Sequence, residues 1–204
     1  MPRLDTIAVG GPAIHTSRTG WAFAPDTLVA VLIPTPIETE RLVLRPFHDD
    51  GSDVEAMLEV LADPLSMRYY PEPLDRDATR AWIERQLARY ERDGFGLLAI
   101  EEHDGARLIG DCGPTVQEAD GVPFVELGWH VLGARQCRGI ATEAGAACRD
   151  AAFASLDVPF LISLIRPENQ PSRRVAEKLG FDVWRGTIRA GWGHLIYRLD
   201  RPAG

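Results

Sequence analysis

The chain has 204 residues, a formal net charge of -8 and 45% apolar residues, which suits one globular domain with room for an appendage. The acidic balance speaks against a general nucleic-acid binder, which needs a basic surface. No apolar stretch is long enough to span a bilayer, and no compact apolar region with a cleavage site opens the chain. A cytoplasmic protein without a membrane partner is therefore expected. Cys112, Cys137 and Cys148 show no metal-ligand spacing and no even count, so free thiols and no metal are expected.

Residues 1–34 form an N-terminal extension in which Gly10-Gly11-Pro12 and Gly20 break any regular pattern. Within it Thr27 to Ile33 is β-prone and too apolar for a free tail, so it predicts an added edge strand or a dimer contact. Pro34 and Pro36 mark the boundary of a second unit, residues 35–204. Glu38 to Pro46 reads as its first strand, with Leu42 and Leu44 on one face. Val54, Met57, Leu58 and Leu61 follow at helical spacing, and a second helix is expected from about Asp77 to Arg92 with Trp82, Leu87 and Tyr90 inward.

Strands are then expected at Phe95 to Glu101, Arg107 to Val116 and Val122 to Val131, with Asp104-Gly105 as a tight hairpin signal. An alanine-rich helix to about Ser155 leads to the continuous apolar strand Phe160 to Ile165, as expected when both faces are covered. Strand, helix and strand predict a right-handed crossover between parallel strands. A helix from about Ser172 to Leu179, closed by Gly180, and an antiparallel pair at Phe181 to Ile188 and His194 to Leu199 complete the chain.

Chemistry gathers at Leu132 to Ala144, between an apolar strand and a helix start. Helix-initial amides lack backbone partners, and the helix dipole favours an anion there. Gly139 permits close backbone approach, and Arg135 and Arg138 add positive charge. There is no Lys-Ser or Lys-Thr pair for a P-loop and no G-x-G-x-x-G for a dinucleotide site. What stands there is Gln136-x-x-Gly139-x-Ala141. This motif resembles the pyrophosphate loop of the GNAT family of acyl-CoA-dependent N-acyltransferases. Val125-Glu126-Leu127-Gly128-Trp129, Asn169-Gln170-Pro171-Ser172 and Leu179-Gly180-Phe181 add to the likeness in order and spacing, which is that of the Rim-type branch. The resemblance covers roughly Ile37 to Arg201. It implies an α/β fold with a mixed, mostly antiparallel twisted sheet, a central parallel strand pair and helices on both faces.

The resemblance implies acetyl-CoA as co-substrate, no metal, and acetyl transfer to a primary amine such as a protein N-terminus or a small molecule. The loop Gln136, Cys137, Arg138, Gly139, Ile140, Ala141 and Thr142 is then expected to hold the pyrophosphate. Leu127, Trp129 and Val131 would offer backbone groups to the pantetheine arm, and Asn169 would contact it. Ser172 would protonate the departing thiolate, since Phe181 has no proton to give. Glu126 and His130 share the face of Gly128 by period-two counting, and either is open as general base. By analogy, Tyr69, Tyr70 and Trp192 wall the acceptor pocket. A non-catalytic acyl-CoA-binding module and a transferase of longer acyl chains are the rival readings, and a homodimer is open.

Overall fold

Apolar alternation and turn chemistry place most of the elements where the sequence leads one to expect them. A computed structural model of the protein describes residues 33–105 and 107–203. Its strands are β1 (Ile37–Glu38), β2 (Leu42–Arg45), β3 (Leu98–Glu102), β4 (Arg107–Ala119), β5 (Val122–Val131), β6 (Phe160–Ile165), β7 (Asp182–Arg189) and β8 (Trp192–Asp200). The helices are α1 (Val54–Leu61), α2 (Arg76–Asp93), α3 (Ile140–Ser155) and α4 (Gln170–Lys178). One mixed sheet runs β1-β2-β3-β4-β5-β6-β8-β7, antiparallel throughout except between β5 and β6.

The expected first strand is in fact a small hairpin. Thr39 turns the chain, its hydroxyl accepting from the Leu42 amide (3.0 Å) and donating to Glu143 of α3 (2.6 Å). Sequence pattern could not show that partner, which lies 104 residues away. Helix α4 starts two residues earlier than expected, at Gln170, because Pro171 is tolerated in a first turn, where its missing amide has no helical partner anyway.

Two large cores lie against the sheet, with a smaller cluster around Ala119, Ile162 and Ile196. On one face Leu42, Leu44, Ile109, Cys112, Leu127 and Ile140 pack with the small face of α3, where Ala144, Gly145, Cys148 and Ala152 are buried. A methyl group at Gly145 would meet the Leu179 side chain at 2.7 Å. On the other face Phe47, Met57, Leu61, Ile83 and Leu108 hold α1 and α2 to the sheet. Of the apolar run Thr27 to Ile33, all but Ile33 lies outside the described residues. Ile33 is buried in the α3-side core.

Candidate active site

The turn after β5 is built from left-handed backbone. Cys137 (φ 59°) and Gly139 (φ 81°) both take positive φ, and Gly139 caps the N-terminus of α3. Glycine adopts that conformation at no steric cost, and its bare Cα leaves the cradle open: an added Cβ would stand 3.4 Å from Arg41 Nη2. Among the described residues, the amides of Cys137, Arg138, Gly139, Ile140 and Ala141 donate no hydrogen bond, whereas Thr142 and Glu143 already bond to the Gly139 carbonyl. Five neighbouring donors at a helix start have the geometry an anion site requires.

The loop's side chains do different work. Gln136 Nε2 donates to the Val131 carbonyl (3.0 Å), which also accepts from the Ser66 hydroxyl (3.3 Å), so Gln136 ties the turn to the end of β5. Arg135 pairs with Glu102 at 3.1 Å. Arg41 reaches in from the β1–β2 turn, donating to the Arg138 carbonyl (3.0 Å) and to Glu143 (2.6 Å). That cation was not legible as part of the loop, since it comes from the far end of the sheet.

Strands β5 and β6 share one ladder position, Glu126 opposite Ile162, and then part. Glu126 holds the opening: its Oε1 accepts from the Leu164 amide at 3.0 Å, where a neighbouring main chain would otherwise pair. Burial raises the Glu126 pKa, opposed by Arg189 and by that same amide. Beyond Glu126, Leu132 donates to Ile109 of β4. Alternate β5 residues therefore spend their main-chain groups on β4, and Leu127, Trp129 and Val131 turn theirs to the open edge. The Val131 carbonyl is already satisfied by Gln136 and Ser66, and the Glu126–Ile162 bridge takes the Leu127 amide, which leaves the Val131 amide, the Leu127 carbonyl and the main-chain groups of Trp129.

A polar chain crosses the floor of the opening. Asp111, fully buried on β4, accepts from Trp82 Nε1 (2.9 Å) and lies 2.6 Å from His130 Nδ1. His130 Nε2 lies 2.6 Å from the Tyr70 hydroxyl. An ionised Asp111 fixes the proton on Nδ1, leaving Nε2 to accept from Tyr70. Burial lowers the His130 pKa, but the Asp111 carboxylate outweighs it and the net shift is upward. Tyr70 is 40% exposed overall, yet its hydroxyl is turned inward, and burial of that end with the Asp111 and Glu126 charges pushes its pKa up.

At the start of α4, Asn169 is the cap: its Oδ1 accepts from the Ser172 amide at 3.1 Å. The Ser172 hydroxyl makes no hydrogen bond among the described residues. A cavity of about 360 Å³ runs from the Gln136–Thr142 turn to Asn169 and Ser172. A second, of about 390 Å³, opens on the other side between α2, the β7–β8 hairpin and Glu126, with Tyr69 and Trp192 on its walls. The two meet at Tyr69, Tyr70, Trp129, His130, Asn169 and Ser172. A reaction between a ligand in each cavity has its reacting atoms there.

The family described as Acetyltransferase (GNAT) domain matches residues 41–182. The chain belongs to this family. It is an acetyltransferase of the GNAT fold, similar to YkkB of Bacillus subtilis, with 31% identity over 83% of this chain and 96% of that protein. It is similar in structure to an acetyltransferase of Agrobacterium tumefaciens (TM-score 0.69, 28% identity, 93% of this chain and 99% of that one). RimJ of Mycobacterium smegmatis shares the fold at TM-score 0.59 and 23% identity, covering 78% of this chain and 81% of that one.

In this GNAT protein the site gathers all of the expected residues around the two cavities, apart from buried Leu127 and exposed Arg138, which flank them. The sequence reading missed Asp111. A lone carboxylate inside the apolar run Leu108 to Cys112 was its signal, since an unpaired acid there would be costly. Among the described residues no helix is long and apolar enough to cross a membrane, and no group of three or more His, Cys, Asp or Glu side chains could hold a metal.

Proposed function

We propose that the protein transfers the acetyl group of acetyl-CoA directly to a primary amine, with residues 35–204 as the catalytic unit. The observation that carries this reading is the meeting of an anion-cradling cavity with a second cavity at Tyr70, His130 and Ser172. The residues fit the cofactor: five free amides and a bare Gly139 suit a pyrophosphate, and the open edge of β5 suits an extended amide-bearing arm. Support also comes from relatives of the same fold. RimL was crystallised in complex with coenzyme A, and MccE in complex with acetyl-CoA and AMP. Acetyl-CoA supplies an activated thioester.

The protein's own groups manage the protons. The acceptor must be a neutral amine to attack. Tyr70 takes a proton from it while passing its own to His130 Nε2, and Asp111 stabilises the imidazolium that forms. Glu126 is engaged with the Leu164 amide, so we assign the base to His130 acting through Tyr70 rather than to Glu126. Ser172, with an uncommitted hydroxyl at the junction, donates to the thiolate as it leaves. Initial velocities with both substrates varied test the direct route. Intersecting patterns are expected, and parallel lines would indicate a covalent acetyl-enzyme and refute direct attack.

A further inference from the structure

The chain as a whole is acidic, with a net charge of -8, yet the acceptor cavity is not. Four arginines line it, Arg85, Arg89, Arg166 and Arg189, against a single carboxylate, Glu126. Arg85 and Arg89 stand one turn apart on α2, so they share a face. Arg166 leaves the end of β6 and Arg189 ends β7, so the second pair comes from the opposite wall.

These charges are poorly matched within the protein. Arg85 lies over the Trp82 ring at 5.3 Å and Arg89 Nη1 donates to Gln86 (2.9 Å); among the described residues neither forms an ion pair. Burial and then the neighbouring Arg92 and Arg85 lower the Arg89 pKa, against a weaker opposing pull from Glu126 and Asp93. Arg166 stacks on Trp192 at 4.2 Å and donates to the Tyr69 carbonyl (3.2 Å). Its Nε is buried and makes no hydrogen bond, with an oxygen of exposed Glu168 3.5 Å away. Arg189 donates to Gln117 (2.6 Å) and stands 3.9 Å from Glu126, whose other oxygen is committed to the Leu164 amide.

Guanidinium groups are the side chains best suited to carboxylate and phosphate, through paired, charge-assisted hydrogen bonds. A pocket in which, among the described residues, two of the four arginines have no ion pair and the other two only long ones selects an anion and repels polyamines. Its volume, about 390 Å³, is that of a small-molecule site. We propose that the acceptor is a small amine that also carries a carboxylate or phosphate group, bound by Arg85, Arg89, Arg166 and Arg189. This rests on the acetyl transfer proposed above.

The test compares matched acceptors at constant ionic strength: an amino acid against its amide, and an amino-sugar phosphate against the amino sugar. The two arms distinguish carboxylate from phosphate. At least one anionic member should exceed its neutral partner in kcat/KM by tenfold or more. In the Arg85→Gln/Arg89→Gln double variant, whose α2 side chains form no ion pair, that advantage should shrink through KM while the neutral amine is little affected. Equal or better use of neutral or polycationic amines, or an advantage untouched in the double variant, overturns the proposal. Preference for an acidic peptide over every small amine also overturns it. If no amine of any charge is acetylated, the acetyl-transfer reading fails, and a separate measurement still decides the pocket. Inorganic phosphate is titrated calorimetrically into protein saturated with coenzyme A, so the turn at Gly139 is occupied. Binding that weakens at least tenfold in the double variant supports the arginine site, and no binding refutes it.

Discussion

Asn169 and Ser172 separate stability from chemistry at one helix start. Asn169 Oδ1 caps α4 through the Ser172 amide at 3.1 Å, while the Ser172 side chain caps nothing. Asn169→Ala should therefore cost about 0.5–2 kcal/mol, the usual worth of such a cap. For a domain of this size each kcal/mol moves the melting temperature by about 2–4 °C, so a fall of a few degrees is expected. Ser172→Ala should leave stability within about 0.5 kcal/mol. If its hydroxyl protonates the leaving thiolate, kcat should drop ~10²–10⁴-fold. That corresponds to roughly 3–5 kcal/mol of barrier. Binding of acetyl-CoA should barely change, because the interaction is made in the transition state. Calorimetric melting, acetyl-CoA titration and steady-state kinetics on both variants make the comparison. A Ser172→Ala protein that melts low but turns over normally refutes the reasoning at both residues. One that is unchanged in both respects removes Ser172 from the chemistry.

Other variants probe the remaining parts. Coenzyme A should stabilise the wild-type protein in thermal melts, and because Gly139→Glu places a side chain at φ 81° and a like charge in the cradle, that shift should vanish in the variant. The His130 pKa is raised by Asp111 and the base must be neutral, so kcat should rise with pH through a value above the ordinary histidine range. Asp111→Asn removes the larger upward cause and leaves burial, which acts downward, opposed only by the weaker pull of Glu126, so a pH–rate profile should show that limb moved to lower pH with a reduced plateau; an unmoved limb would exclude His130 as the titrating group. Ile33 is 7% exposed in the α3-side core, so a deletion that removes it should melt lower than one stopping at residue 32, by about 1.5–3 kcal/mol from the lost burial. Equal melting temperatures would show that Ile33 adds nothing.

Local pattern carried a good deal of this architecture. Strands β5 and β6 begin and end where the apolar runs do: β6 is buried along most of its length, and β5 keeps its bounds although Glu126 and His130 stand on one of its faces. The turn at Gln136 to Thr142 was legible because its pattern is local: a glycine, a helix start and no competing motif. What could not be read depends on partners distant in the chain. Glu143 bends the β1–β2 turn, Asp111 meets His130 only when β4 and β5 pair, and Glu126 finds the Leu164 amide only where two parallel strands part. Arg85 and Arg89 look like a solvated helix face until the β7–β8 hairpin closes the cavity opposite them.

The central claim is acetyl transfer from acetyl-CoA to an amine where the two cavities meet. Its most direct test measures free coenzyme A and acetylated amine together, with and without an acceptor. One acetylated amine per thiol released, and negligible release without the amine, is the predicted result. Release at the same rate without any amine would make the protein a thioester hydrolase, and tight acetyl-CoA binding with no release under either condition would make it a binding module; either result contradicts the account.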